Sequence, residues 1–497
     1  MEKGCFIKDR KKIVIWCIFV FAIIINVYLY VHILDNFPHL LNDFESPYIL
    51  IANNLYNHGE YSLRASEGCA PDTVTLPVAP IIGYLVFLIC GVGNTAFEVL
   101  RIILMLSNFG IIIISYYIGK IFNYKIGCAA AFLAAADVSM FCWSNNFKPD
   151  MLYAFLFTLS IYFLIKFVKV KQSKKNIILA SLILGLAVLT KPGLYLLFYP
   201  IAGLLLVFLL FAKKKSFIKS LYYVGLFVVI QLVFIMGWQM RNYHATGVME
   251  YSPRIGHSAL LSNQVPLLIA YQEGISKEKA VKRIRNKYIT EDILKLDSIE
   301  RNKYFKNVAF KIVLNSPLDY AVIVLKGTPA LFLGTAPPDF LFTKQKREEL
   351  FEISQVKLYD YIVKNDKSSL PTLSKRVPKY MGAFSSFPII KKLWNSNHYS
   401  FIFLWSLIKA HILLIYLMTF IGIFLISRDK SDRWVLVLMV LIITYNVAML
   451  GVGPVSSRQR AVFMPILYFL SSYGLVWVGE AWQKYKKSSN WNEKASE

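Results

Sequence analysis

The feature that most constrains this chain is a succession of apolar runs, each about as long as a bilayer's hydrocarbon is thick. A helix needs about 20 apolar residues to cross, and such runs recur from residue 13 to residue 478. Inside hydrocarbon every backbone polar group must find its partner within the protein, so these runs fold as helices packed against one another. The expected fold class is an all-α polytopic membrane protein, and a hydrophobic content of 56% over 497 residues agrees. Residues 13–33 follow Lys11 and Lys12 as a signal peptide would. They are too long for such a segment's apolar region, lack a small-residue cleavage site and read as an uncleaved anchor.

Lysine and arginine orient the runs. Lys3, Lys8, Arg10, Lys11 and Lys12 place the start in the cytoplasm, so residues 13–33 lead outward. Residues 76–90 are apolar but short, and Pro77, Pro80 and Gly83 interrupt them. If they crossed, every later basic loop would face outward, so they read as an interfacial or re-entrant helix on the outer face. The remaining spans are expected at 97–118, 127–143, 151–167, 177–189, 194–211, 220–238, 401–426, 434–450 and 461–478. That makes about ten transmembrane helices with both ends inside. Three parts follow: an N-terminal transmembrane module over 1–240 with its first outer loop at 35–96, an extracytoplasmic or interfacial segment over 241–400, and C-terminal helices with a cytoplasmic tail over 401–497. The middle part has 25 Lys and Arg against 14 Asp and Glu. Its length exempts it from the positive-inside rule. Residues 277–311 read as charged amphipathic helix, and 319–335 as a second interfacial helix.

The composition also excludes functions. The net charge of +25 is in large part the positive-inside bias, so no nucleic-acid partner is expected and the lipid bilayer is. No Walker loop, soluble nucleotide-binding domain or internal repeat interrupts the pattern, which disfavours an ATP-driven pump. The six cysteines show neither metal-ligand spacing nor a disulfide framework, and His58, His244 and His257 form no zinc pattern.

The residues that can carry chemistry gather at the outer ends of the runs. Asp43 and Glu45 are two apart, a spacing that points both side chains the same way only in extended backbone. Ser46 and Pro47 then look like an N-cap and a first-turn proline. One reading makes both acids complements of that helix's dipole. The other makes one of them a general base toward an acceptor hydroxyl. Asp150, after Lys148 and Pro149, starts another outer helix and carries the same two readings. Asp137 lies inside an apolar run, where an acid is costly and is either functional or paired. Arg101, Lys191, Arg241, Arg458 and Arg460 lie near outer ends and are placed to grip an anion such as a phosphate. Snorkelling to headgroups is the plainer account of each, and Arg101 has Glu98 three residues back.

The order and common outer placement of these motifs resemble the integral-membrane glycosyltransferases of the GT-C fold. The similarity is closest to the group of dolichyl-phosphate-mannose protein mannosyltransferases and lipid A aminoarabinose transferases. It covers roughly residues 10–260 and 400–480. Its carriers are the acidic loop before Tyr48, Gly59-Glu60-Tyr61-Ser62, Pro77-Val78-Ala79-Pro80, Arg101, Lys148-Pro149-Asp150 and Thr190-Lys191-Pro192. Trp238 to Tyr243 with Gly247, and Arg458-Gln459-Arg460 with Pro465, complete the set. The resemblance implies transfer of a sugar from a polyprenyl-phosphate carrier to a glycan, lipid or protein acceptor outside the cytoplasm, in a bacterial plasma membrane. It makes Asp43 the base, with Glu45 its rival, and Asp150 the acid of the second outer loop. Arg241 and Arg458, joined by Lys191, Arg460 and Arg101, would hold the donor phosphate. Where relatives often carry a charge two residues before the first proline of the proline-rich motif, this chain has Thr75, which leaves the acceptor and any divalent metal open.

The chemistry is self-consistent: a phosphate leaves readily once fixed cations meet its developing charge, and a single carboxylate then suffices, with inversion at the anomeric carbon. Two other classes remain in view. A secondary transporter or lipid-linked-glycan flippase would favour repeats and ionisable groups at the midplane, whereas here only Asp137 sits deep. An O-antigen-type ligase or polymerase would share the carrier but attach whole glycans.

Overall fold

The computed structural model describes residues 2–36, 46–63, 71–144, 148–252, 260–261, 264–296, 298–333, 399–450 and 457–494. These residues form helices and no strand. In chain order they are α1 (Glu2–Asn36), α2 (Pro47–His58), α3 (Val78–Cys90), α4 (Asn94–Lys120), α5 (Tyr124–Ala135), α6 (Val138–Ser144), α7 (Asp150–Ile165) and α8 (Lys174–Val188). Then come α9 (Phe198–Val207), α10 (Phe217–Thr246), α11 (Gln264–Glu273), α12 (Lys277–Tyr288), α13 (Glu291–Lys295), α14 (Ser298–Asn315) and α15 (Pro317–Leu333). The last are α16 (Tyr399–Arg428), α17 (Arg433–Leu450), α18 (Ser457–Arg460) and α19 (Met464–Lys494). Helices α7 and α9 run on into π-helical turns at Lys166–Val170 and Phe208–Ala212.

Among the described residues, five helical stretches are long and apolar enough to cross a membrane: 94–120, 150–170, 192–212, 217–246 and 406–428. The number rises to seven if two bent pairs each count as one span. The chain is thus an integral membrane protein, and each of the ten expected spans coincides largely with helix. Those that fail the test have visible reasons. Helix α8 has 15 residues, about 22 Å at 1.5 Å per residue. Helix α19 is 31 residues long, but its second half is polar. Helix α3, read from sequence as interfacial, has 13 residues and reaches only about 20 Å, short of the roughly 30 Å of hydrocarbon.

One bent pair is the span expected at 127–143. Helices α5 and α6 meet at 58° across Ala136 and Asp137. Asp137 is 1% exposed. Its Oδ1 accepts the Ser139 N–H at 2.9 Å, and its Oδ2 accepts the Tyr468 hydroxyl at 2.7 Å. The break frees backbone groups in the bundle interior, and this acid satisfies one of them while tying α6 to α19. Of the two roles open to an intramembrane acid, the geometry is that of pairing. The other pair, α14 and α15, meets at 94°. The charged amphipathic stretch of 277–311 is three helices rather than one, broken before Glu291 and Ser298. Residues 334–398 lie outside the described residues.

Helices α16 and α19 touch backbone to backbone. A Cβ on Gly422 would fall 1.8 Å from the Leu470 carbonyl oxygen, and one on Gly474 would fall 2.3 Å from that of Met418. In lipid, where exclusion from water does not drive helices together, such small-residue contacts permit the close packing that does. At Gly83 a Cβ would meet the Ala52 Cβ at 2.8 Å, and this absence of a side chain lets α2 lie against α3. We expect Gly422→Leu to cost at least the ~1–3 kcal/mol of overpacking strain, read as a lower unfolding temperature of purified protein in detergent. Gly225→Ala, where nothing lies within 4 Å, should leave that temperature unchanged or raise it.

Candidate active site at the end of the bundle that carries Asp150

Proline and aspartate start α7 as their chemistry dictates. Pro149 cannot donate a backbone hydrogen bond and sits just before the first turn, and Asp150 lies within that turn. The carboxylate is buried, 6% exposed, and forms an ion pair with Lys191, whose side chain is 26% exposed. Lys191 stands in the extended residue before Pro192–Leu194, a 3-10 turn that follows α8. Its ammonium also lies 6.0 Å from the centre of the Tyr153 ring. Gly193 holds this turn close, since a Cβ there would stand 2.9 Å from the Tyr153 hydroxyl.

A second cation sits at the end of α10. Arg241 lies 4.7 Å from the Tyr61 ring centre and 4.9 Å from that of Trp238. It donates to the Asp72 carbonyl oxygen at 2.6 Å and to Asn242 Oδ1 at 3.0 Å. The Asp72 carboxylate accepts from the N–H groups of Val74 and Thr75 at 3.3 and 2.8 Å, fixing the turn into the proline-rich segment. The Tyr61 hydroxyl donates to the Thr75 carbonyl at 2.8 Å. Burial, reinforced by the Asp72 charge, pushes this phenol well above its ordinary value, so it serves as a neutral donor.

Backbone and aromatic contacts join these two cations into one end of the bundle. Val78 N–H donates to the Leu189 carbonyl at 3.3 Å, where α8 ends. Tyr251 donates its hydroxyl to Val188 at 2.7 Å, accepts the Trp238 indole N–H on its carbonyl at 3.2 Å, and stacks on Tyr195 at 4.5 Å. The Leu196 N–H reaches the Tyr445 hydroxyl at 3.2 Å, bringing in α17.

Beside Asp150 lies an apolar groove of about 50 Å³, bounded by α2, α3, α4 and the start of α7. Ile49, Ile82, Leu100, Ile103 and Leu152 line it, with Tyr48 and Lys148 as its polar members. Tyr48 stands three residues after Glu45 and five after Asp43 in the sequence. Asp43 and Glu45 themselves lie outside the described residues.

The other cations named from sequence have varied surroundings. Arg101 is 1% exposed, pairs with Glu98 at 3.3 Å and lies 5.6 Å from the Tyr30 ring centre, as its sequence neighbour foretold. Tyr30 in turn donates to Glu98, tying α1 to α4. Arg460, also 1% exposed, donates to the carbonyls of Leu331, at 3.3 Å, and Phe332. It caps the C-terminus of α15, where a cation complements the helix dipole. Arg458 falls in α18, and its side chain lies outside the described residues. Ser46 occupies the N-cap position of α2, but its side chain makes no cap hydrogen bond.

Sequence reasoning gave no role to Asp72, Tyr61, Tyr153 or Tyr251, although Tyr61 and Tyr153 stand in motifs that carry the resemblance. Asp72-Thr73-Val74-Thr75 before a proline is a readable side-chain-capped turn. The tyrosines carried no local signal, because their roles depend on contacts distant in sequence. Among the described residues no group of three or more His, Cys, Asp or Glu is placed to hold a metal ion.

Residues 74–238, roughly a third of the chain, match the family described as dolichyl-phosphate-mannose-protein mannosyltransferase. No curated protein matches the sequence. Among solved structures, the chain is similar to the oligosaccharyltransferase of Archaeoglobus fulgidus in its apo form, at 14% identity over 96% of this chain and 52% of that one, with a TM-score of 0.49. The same organism's AglB, in complex with an inhibitory peptide and a dolichol-phosphate, gives 14% identity over 96% and 51%, also at 0.49. ArnT from Cupriavidus metallidurans, bound to undecaprenyl phosphate, gives 15% identity over 92% and 76%, at 0.39. The chain spans about half the length of the oligosaccharyltransferase.

The Asp150–Lys191 pair has a measurable signature. We expect Lys191→Met to destabilise the protein toward the lower end of the ~3–5 kcal/mol that follows from leaving a buried charge unpaired. Adding Asp150→Asn should restore part of that loss, and additive losses in a double-mutant cycle of detergent unfolding would show that the pair carries no coupling. The match over residues 74–238 is to the group that the sequence motifs resemble.

Proposed function

We propose that this chain is a membrane glycosyltransferase that moves a sugar from a polyprenyl-phosphate-linked donor to an extracytoplasmic acceptor, with inversion at the anomeric carbon. The observation that carries the reading is the placement of the Asp150–Lys191 pair beside an apolar groove lined by Tyr48 and Ile49 of α2 and by Pro149 and Leu152 at the start of α7. The family match over residues 74–238 supports it. An apolar groove suits an isoprenoid chain, and cations at its mouth suit the phosphate that joins chain to sugar.

In this reading Asp43, or Glu45 in its place, takes the proton of the acceptor hydroxyl as that oxygen attacks the anomeric carbon. The bond between that carbon and the phosphate oxygen breaks, and the electron pair leaves with the phosphate. Arg241, held rigidly over two aromatic rings, meets the developing charge with Arg458, Lys191, Arg460 and Arg101 as the remaining cations of the set. Asp150 holds the Lys191 ammonium in place through their ion pair. The reacting end then faces outward from a bacterial plasma membrane, the lysine-rich end faces the cytoplasm, and residues 1–240, 241–400 and 401–497 act as catalytic module, outer segment and closing helices.

The second reading, a secondary transporter or flippase, draws on the broken span at Asp137, since transporters place ionisable groups at interrupted helices. Against it, both carboxylate oxygens of Asp137 accept hydrogen bonds from within the bundle. The assay for the first reading is transfer from a defined polyprenyl-phosphate sugar, followed by mass spectrometry of the products in membranes. Asp43→Asn should lower turnover by at least ~10²-fold, the lower bound for general-base catalysis, with expression unchanged. Glu45→Gln is the matched control. Near-normal turnover in both variants would remove these acids from the mechanism. Arg241→Leu should weaken donor binding and slow the chemical step together, and an unchanged KM and kcat would remove Arg241 from the phosphate site.

A further inference from the structure

The end of the bundle opposite Asp150 carries a feature that glycosyl transfer does not use. Between Asp150 and Glu250 the chain has no Asp or Glu, yet nine lysines gather in two stretches, at 166–175 and 213–219. The first begins in a π-helical turn, Lys166–Val170, and the second directly follows one, Phe208–Ala212. Such turns are uncommon and collect at functional positions. Lys169 is accounted for by its ion pair with Asp432, whose other oxygen accepts the Tyr473 hydroxyl at 2.7 Å.

The lysines beside it converge on one tyrosine pair. Lys174 lies 5.1 Å from the Tyr222 ring centre and Lys215 lies 4.7 Å from that of Tyr223. The two rings are 5.6 Å apart, and Phe167 packs edge-on against Tyr223 at 5.3 Å. The Tyr223 hydroxyl donates to the Gln172 carbonyl at 3.1 Å, locking the two stretches together. Lys214, between its two neighbouring lysines, has φ +48°. That left-handed conformation costs an L residue roughly 1–2 kcal/mol, and strain of this kind is retained where a local arrangement serves function. The positive-inside rule accounts for the number of lysines at a cytoplasmic end. It does not account for two ammonium groups from separate stretches held on adjoining rings, with no acid in the intervening sequence.

We propose that this shelf seats the phosphodiester headgroup of an anionic phospholipid, gripped between Lys174 and Lys215 above the Tyr222–Tyr223 pair. The charge is complementary, because two fixed ammonium groups meet a phosphodiester that no protein carboxylate from this part of the chain replaces. The position fits as well. Tyrosines with an apolar body and a polar tip mark the depth at which headgroups lie, and exposed Phe211, Phe217 and Ile218 flank the lysines and offer acyl chains a surface. Lys171 and Lys213 add attraction at longer range, which favours a headgroup with net negative charge over a zwitterionic one. The proposal stands apart from the glycosyl-transfer reading and needs only that the chain be embedded in lipid.

The test uses the full chain in detergent, offered phosphatidylglycerol or phosphatidylcholine with identical acyl chains, and reads retained lipid by native mass spectrometry. We expect at least tenfold more retention of phosphatidylglycerol. Lys174→Gln with Lys215→Gln should abolish that preference. Lys175→Gln with Lys219→Gln, which removes the same charge from the same two stretches but not from the shelf, should keep it. Equal retention of both lipids by the unaltered chain would overturn the proposal, as would equal loss in the two double variants. If the shelf variant fails to fold, Lys215→Gln alone should lower the preference at least threefold, and an unchanged preference there would overturn it too.

Discussion

The site depends on an ion pair that joins the start of α7 to the segment just after α8. Helix α7 starts at Asp150 and the chain leaves α8 at Lys191, so each partner stands at a helix end where the backbone is no longer satisfied by the helix itself. A carboxylate at 6% exposure is tenable only with such a partner. Once the pair is made, the 3-10 turn after Lys191 is held in place, Gly193 lies against Tyr153, and the end of α8 presents its carbonyls to Val78 and Tyr251. The groove beside α3 inherits its shape from these contacts. An apolar bundle is thereby given one polar end of defined geometry.

Much of this was legible in the sequence, because membrane spans are written in apolar length and lysine placement. The expectation that residues 76–90 do not cross came from charge bookkeeping on later loops, and the 13-residue α3 agrees with it by length. The Arg101–Glu98 pair was legible for a similar reason, since three residues on a helix place side chains on one face. Asp150 and Lys191 were each read as candidates, yet their pairing was not, because 41 residues separate them and only the packing of α7 against α8 brings them together. Tyr61, Tyr251 and Asp72 were missed for the same reason. Each contributes through a carbonyl or ring of a distant segment, and a pattern confined to one stretch cannot show that. Helix breaks were the hardest to read: apolar continuity over 127–143 suggested one span, whereas Asp137 divides it.

The buried cations divide by partner. Arg460 spends its hydrogen bonds on the carbonyls that end α15, and Arg101 on Glu98. Arg241 is different in kind. Its guanidinium lies over two aromatic rings and donates to one carbonyl oxygen and one amide oxygen. Ring faces and carbonyls orient a cation without cancelling its charge. A guanidinium held in that way keeps its field available for an anion that arrives and leaves, which is the property a phosphate site requires.

The two ends of the bundle solve opposite electrostatic problems with the same material. At one end, Asp150 pairs with Lys191 and Glu98 with Arg101 near helix termini. At the other, lysines accumulate over a region of sequence that contains no acid, and aromatic rings stand where carboxylates would otherwise be. A ring attracts an ammonium but leaves its positive charge uncompensated. For Lys174 and Lys215 compensation then comes from outside the protein, and in a membrane the nearest supply of fixed negative charge is the leaflet itself. The asymmetry that sets the orientation of the chain therefore also makes one end of it electrostatically incomplete without lipid.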